Sequence, residues 1–134
     1  MNLRDSLLRH EGEKLRPYRC TAGKLTIGVG RNLEDRGITH EEAMYLLDND
    51  IALVKQQVAK EFPWILGLDE IRKDVIYEMC FQLGINRLSL FQKMLSAVRE
   101  GDYGRAATEM LNSNWFRQTP GRCKELSEIM RNGG

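Results

Sequence analysis

The sequence predicts an α+β fold that is mostly helical and has two lobes. Extended structure is confined to residues 14–35, where Pro17 and Gly23 interrupt short β-prone runs. Apolar residues recur at helical spacing through most of the rest. A length of 134 residues corresponds to about one domain. We therefore expect one domain over 1–134, with a small lobe at about 12–50 and a helical lobe at about 60–134 that includes the N-terminal helix.

The first lobe begins with a short amphipathic helix over residues 2–11. Leu3, Leu7 and Leu8 share one face of it, and Gly12 is a suitable C-terminal stop. Residues 21–24 predict a turn because Gly23 can adopt a positive φ, and residues 25–29 predict a strand. The expected result is a hairpin or a three-stranded sheet.

A long helix is predicted after residue 39. Thr39 and Glu42 have the spacing of a capping box, and an apolar stripe follows as far as Val58. Pro63 ends this helix near Trp64. A second helix runs from Asp69 to Gly84, and three more are expected at 90–99, 102–112 and 119–131, with turns at Gly101 and near Trp115. A long helix between two lobes predicts a groove for an extended ligand.

Composition argues against several classes of protein. Lys and Arg balance Asp and Glu, at 10 against 10 in residues 1–67 and 10 against 9 in 68–134, so no nucleic-acid footprint is expected. The three cysteines, Cys20, Cys80 and Cys123, form no CxxC pair, which favours reduced thiols over a disulfide framework or a zinc site. No signal peptide and no apolar run of about 20 residues is present, which predicts cytoplasmic synthesis and no stable membrane insertion.

Three groups capable of proton or water chemistry come from the first lobe. Glu11 ends the first helix, where partial burial and the negative helix end would both favour a protonated acid. Cys20 lies near Arg19 and Lys24, and the direction of its pKa shift is left open by the sequence. Thr26 lies in the predicted strand, where an exposed hydroxyl could orient a water. Each residue also has an ordinary structural role open to it.

Taken together, these residues carry a family resemblance. Glu11, Cys20 and Thr26, with the strand TIGVG at 26–30, resemble the phage-type lysozymes of glycoside hydrolase family 24. The segments FQLG at 81–84 and NWFRQTPGR at 114–122 resemble two further segments of that family. Many members have Asp where this chain has Cys20, and the connection at 33–39 is short, which suggests a trimmed first lobe.

The resemblance implies a lysozyme-like fold and an endolysin. Such an enzyme hydrolyses the β-1,4 bond between N-acetylmuramic acid and N-acetylglucosamine in peptidoglycan. Glu11 would be the general acid, Cys20 and Thr26 would hold the attacking water, and the reaction would invert the anomeric centre. Phe81 and Gln82 would contact the glycan, and Arg122 would support Glu11 or be a solvated cation. No cofactor or metal is implied, a monomer is expected, and access to the periplasmic wall would depend on a holin.

Other interpretations stay open. A thiolate of Cys20 could attack the sugar directly to form a thioglycoside, although a protonated thiol makes this route the weaker one. The chain could instead be a catalytically weak relative that binds glycan. A helical phage regulator or adaptor is a third class, and the balanced charge argues against it.

Overall fold

The computed structural model describes residues 2–134, which divide into two compact units after Leu46. The first unit contains the helix α1 (Leu3–Glu11) and a small antiparallel sheet in the order β1-β2-β3. The strands are β1 (Lys14–Arg19), β2 (Leu25–Gly28) and β3 (Arg31–Asn32). The predicted α+β, mostly helical class and the three-stranded sheet are therefore confirmed. The assignment of the N-terminal helix to a helical lobe stays a prediction.

Both ends of α1 follow from its flanking residues. The Asn2 side-chain carbonyl accepts the backbone N–H of Asp5 at 2.8 Å and caps the first turn. Gly12 has φ +74°, and its N–H donates to the Leu8 carbonyl at 3.0 Å, which ends the helix at Glu11. No residue of α1 is buried.

The capping box at the start of α2 (His40–Glu61) is confirmed. The Thr39 hydroxyl accepts the Glu42 N–H at 3.1 Å, and the Thr39 N–H donates to the Glu42 carboxylate at 2.8 Å. Of the apolar stripe along this helix, only Val54 and Val58 are buried. Leu53 is 52% exposed.

The second unit is helical. The bounds of its elements after α2 are a 3-10 turn at Pro63–Gly67, α3 (Glu70–Leu83), α4 (Ile85–Ser89), α5 (Gln92–Arg99), α6 (Tyr103–Leu111), α7 (Asn114–Gln118) and α8 (Pro120–Asn132). Asp69 caps α3 and Gly84 ends it, as the sequence predicted. The short helices α4 and α7 were not predicted, and Trp115 lies in α7 where a turn was expected.

The core of the second unit draws on almost all of these helices. Trp115 is 1% exposed, and Trp64 and Phe116 pack against the core from its edge. The other fully buried large side chains include Ile65, Ile76, Met79, Leu88, Met94, Met110 and Met130. Cys80 and Cys123 are buried among them.

Candidate active site

The turn at residues 20–24, here called the 20–24 turn, joins β1 to β2 and carries Cys20 at its start. The Cys20 N–H donates to the Lys24 carbonyl at 3.0 Å, and the Gly23 N–H donates to the Cys20 carbonyl at 2.8 Å. Gly23 has φ +77°, a conformation that side chains disfavour and glycine adopts readily. The predicted turn is confirmed, and it fixes the backbone from which the thiol projects.

The pKa of the Cys20 thiol is lowered from its ordinary value of 9.0. The largest cause is the backbone N–H of Lys24, followed by the N–H of Ala22. The 20–24 turn therefore favours the thiolate, and this gives the direction of the pKa shift that the sequence left open. Burial acts the other way on the remaining thiols, raising the pKa of Cys80 and taking that of Cys123 to about 11.

Thr26 lies in the central strand, where it pairs with Tyr18 on one side and Asn32 on the other. It is only 3% exposed, so the expectation of an exposed hydroxyl is wrong. Its hydroxyl donates to the Lys24 carbonyl at 2.8 Å. Since that proton is already used, the hydroxyl can offer only its lone pairs to another group.

Glu11 reaches the same sheet at Gly30, the last residue of the TIGVG segment. A methyl group built on Gly30 would lie 2.9 Å from the nearer Glu11 carboxylate oxygen, Oε2, and 3.3 Å from its Cδ. Glycine at this position, which also has φ +71°, therefore leaves the space that the carboxylate occupies. The structure brings Glu11 against a glycine four positions after Thr26, and Thr26 lies on the strand paired with the one that leads into Cys20.

The expected partial burial of Glu11 is wrong. Glu11 is exposed, because α1 has no buried residue and its last position has no apolar surroundings.

Two acidic side chains near the site were missed by the sequence interpretation. Glu34 accepts a hydrogen bond from Arg19 at 2.6 Å and another from the Leu25 N–H at 3.0 Å. Glu42 accepts two hydrogen bonds from Arg31, at 2.9 and 2.6 Å. These hydrogen bonds join residues at least nine positions apart, so local sequence patterns do not reveal them. The only available signal was that the connection at 33–39 is polar and too short to form a free loop.

The second unit contains the two residues expected to contact the glycan. Phe81 is 46% exposed and borders a cavity of about 610 Å³. Gln82 is half-buried, and its Oε1 accepts the indole N–H of Trp115 at 2.9 Å. Its amide nitrogen lies 3.4 Å from the Thr119 hydroxyl. The amide therefore has structural partners, and glycan contact by Phe81 and Gln82 stays a prediction.

Arg122 has a partner within the second unit. Its Nε donates to the Glu78 carboxylate at 2.9 Å, and both residues border the same cavity as Phe81. Support of Glu11 by Arg122 stays a prediction.

Two features are absent from residues 2–134, a metal-binding cluster and a membrane-spanning helix. No group of three or more His, Cys, Asp or Glu side chains in this range could hold a metal ion. No helix within the same range is both long and apolar enough to cross a membrane.

Comparison with known proteins gives a consistent result. The family model described as phage lysozyme matches residues 8–131. The probable T4-type lysozyme 1 of Dictyostelium discoideum is 30% identical over 162 positions, covering 98% of this chain and 95% of that protein. Because this chain has 134 residues, at least 28 of those 162 positions are occupied only in the relative.

Two phage proteins match over a smaller part. The endolysin of Acyrthosiphon pisum secondary endosymbiont phage 1 is 31% identical, with 77% of this chain and 70% of that protein covered. The SAR-endolysin of Escherichia phage Mu is also 31% identical, with 80% and 63% covered. The family match spans nearly the whole sequence and includes all three residues of the candidate site. The chain belongs to the phage lysozyme family.

Proposed function

We propose that this protein is an endolysin that hydrolyses the β-1,4 bond between N-acetylmuramic acid and N-acetylglucosamine in bacterial peptidoglycan. The observation that supports it best is the small sheet that carries Thr26 beside the strand leading into Cys20 and accommodates the Glu11 carboxylate at Gly30. This arrangement offers one acid and one set of proton acceptors, the two functions that glycoside hydrolysis requires. Family membership supports the same class of reaction.

Glu11 is the general acid in this proposal. It donates its proton to the glycosidic oxygen as the bond to the anomeric carbon breaks. Glu11 is exposed in the free protein. In this proposal a bound glycan covers the Glu11 side chain and excludes water from the reacting oxygen.

Cys20 and Thr26 hold the attacking water. The Thr26 hydroxyl donates its hydrogen bond to the Lys24 carbonyl, and a deprotonated Cys20 sulfur has only lone pairs, so both groups accept hydrogen bonds from a water. The water oxygen then faces the anomeric carbon and bonds to it, and the proton it loses passes to the sulfur. Attack on the face opposite the leaving group inverts the anomeric centre, a geometry in which acid and base are separated by about 6.5–9.5 Å.

Direct attack by sulfur is the second route. It would form a thioglycoside and retain the anomeric configuration after hydrolysis. Nuclear magnetic resonance during cleavage of a soluble glycan identifies the anomer that is released first. The β-linked substrate gives an α product only in the inverting reaction, so this anomer distinguishes the two routes.

The endolysins among the relatives support a role at the cell wall. We propose synthesis in the host cytoplasm, access to the wall through a membrane opening made by a holin, and action as a monomer without a cofactor.

The test is clearing of a cell-wall suspension by the Glu11→Gln variant. Removing the proton donor should lower the clearing rate by about 10²-fold or more, the typical contribution of a general acid. Glu13→Gln is the matched control, since Glu13 is exposed and makes no hydrogen bond or ion pair within residues 2–134. Near-full activity of Glu11→Gln would exclude the proposed acid, and binding of the unaltered chain to insoluble peptidoglycan without clearing would favour a glycan-binding module.

A further inference from the structure

Glu34 connects the start of β2 with the end of β1. Its carboxylate accepts Arg19 Nη1 at 2.6 Å and the Leu25 N–H at 3.0 Å. The same Arg19 nitrogen donates to the Gly23 carbonyl at 3.0 Å. One carboxylate therefore binds the strand on each side of the 20–24 turn, and through Arg19 it also binds the turn itself.

The next residue of the loop fixes the other side of the turn. Asp35 accepts Lys24 Nζ at 3.3 Å, and Asp35 is itself held by two hydrogen bonds with Asn32, both at 3.0 Å. The Leu33 N–H donates to the Leu25 carbonyl at 2.8 Å, which anchors the loop to β2. Hydrogen bonds and an ion pair thus attach the loop after β3 to the hairpin that carries Cys20.

We propose that Glu34 is a positioning residue for hydrolysis, because it binds Leu25 directly and Gly23 through Arg19, and so holds the 20–24 turn from which the Cys20 thiol projects. This inference rests on the proposed function, in which Cys20 holds the attacking water. Glu34 does not touch the substrate or the water. It acts through the backbone, and a small displacement of a group that holds a reactant can lower a rate by about 10²-fold.

The connection is stronger than an ordinary surface ion pair. The side chains of Arg19 and Glu34 are 66% and 38% exposed, and an isolated pair at such exposure contributes little. Glu34, however, also accepts a backbone N–H at the first residue of β2, and hydrogen bonds to a charged acceptor are about twice as strong as neutral ones. The Leu25 N–H, followed by Arg19, lowers the pKa of Glu34 and keeps it ionised at neutral pH.

Alkylation of Cys20 by iodoacetamide as a function of pH tests the positioning independently of lysozyme activity. The charged groups on the turn and on the loop packed against it are Arg19, Lys24, Glu34 and Asp35. A simple charge effect and a positioning effect have opposite signs. Removing a negative charge would lower the pH midpoint of alkylation, whereas releasing the turn N–H groups from the sulfur would raise it toward 9.0. Cys80 and Cys123 are buried, so peptide mass spectrometry can follow Cys20 alone.

We expect Glu34→Ala to raise the alkylation midpoint and to lower kcat on soluble glycan strands about tenfold with little change in KM. Glu34→Gln keeps an acceptor for the Leu25 N–H and should retain the midpoint and most of the rate. Glu128→Ala is the control, since Glu128 is exposed and has no ion pair within residues 2–134.

Circular dichroism checks that each variant is folded. If Glu34→Ala is unfolded, the alkylation profiles of Glu34→Gln and Arg19→Met are measured instead. Charge and positioning act in the same direction in Arg19→Met, which should raise the midpoint because it removes a positive charge and also releases the Gly23 carbonyl from Arg19. An unchanged or lowered midpoint in both Glu34→Ala and Arg19→Met would overturn the proposal. A raised midpoint in a protein whose unaltered form does not cleave glycan would refute the proposed function instead, and would leave Glu34 as an organiser of the turn.

Discussion

At the scale of single residues, the three cysteines are separated by their surroundings. Cys20 is accessible, and backbone N–H groups lower its pKa, while burial raises the pKa of Cys80 and Cys123. The donors that favour a thiolate at position 20 would favour an aspartate carboxylate there equally, because both are anions that accept hydrogen bonds from the backbone. The turn therefore explains how either Cys or Asp could serve at position 20 of the proposed catalytic site.

Replacing Cys20 tests this equivalence. Cys20→Asp should keep much of the cell-wall clearing rate, because the carboxylate accepts the same N–H groups and can still hold a water. Cys20→Ala removes the acceptor and should lower the rate by about 10²-fold, within the usual range for a group that assists proton transfer. Initial clearing rates at matched protein concentration are the measurement, with Cys123→Ala as a control for loss of a thiol elsewhere. Equal rates for the Asp and Ala variants would mean that the side chain at position 20 has no catalytic part.

At the scale of elements, Glu42 joins the loop after β3 to the start of α2. It accepts two hydrogen bonds from Arg31 and one from the Thr39 N–H, while Arg31 also donates to the Gly37 carbonyl at 3.2 Å. One carboxylate thus completes the capping box and closes the 33–39 connection. The short connection is held by these bonds, which is why so few residues suffice for it.

Glu42 should make the fold sensitive to acid. The Arg31 side chain and then the Thr39 N–H lower the pKa of Glu42 from 4.5 to about 2. Since the pKa is lower in the folded than in the unfolded chain, the stabilisation is fully present above about pH 4.5 and is lost as the pH falls toward about 2. Thermal unfolding followed by circular dichroism should give a lower Tm for Glu42→Gln at pH 7, and the difference from the unaltered chain should vanish near pH 2.

Glu41→Gln is the control for that experiment, because Glu41 neighbours Glu42 on the exposed side of α2 and makes no ion pair within residues 2–134. A Tm difference for Glu42→Gln that stays constant from pH 7 to pH 2 would contradict an ionised, paired Glu42.

The elements that the sequence predicted are those with local end signals. Thr39 with Glu42, Asp69 and Gly84 all mark helix ends as expected, since a cap depends only on residues within one turn. The five-residue helix α7 is too short to show a helical period. The exposure of Leu53 was missed for a different reason, because an apolar residue at helical spacing is buried only if another element packs on it.

At the scale of the whole molecule, the candidate site also has parts that local sequence patterns predict and parts that they do not predict. Cys20 and Thr26 lie six positions apart on one hairpin, so sequence order alone placed them together. The role of Gln82 depends on a partner 33 positions away, the Trp115 indole, which no local pattern could identify. The segments at 81–84 and 114–122, both used for the family resemblance, are therefore joined in the structure by the Gln82 amide, which binds Trp115 and Thr119.

These hydrogen bonds of the Gln82 amide predict that Gln82 contributes to the free energy of unfolding. Gln82→Ala leaves the indole N–H of a side chain that is 1% exposed without its acceptor, which should cost about 1–3 kcal/mol of unfolding free energy. Trp115→Phe removes the donor, so Gln82→Ala should cost less in that background, and a double-mutant cycle by urea denaturation measures the difference. Gln56→Ala is the control, because Gln56 is exposed on α2. A Gln82→Ala variant of unchanged stability, with a raised KM for glycan, would instead assign the amide to the substrate, because a side chain that holds no partner in the free protein is available to bind one.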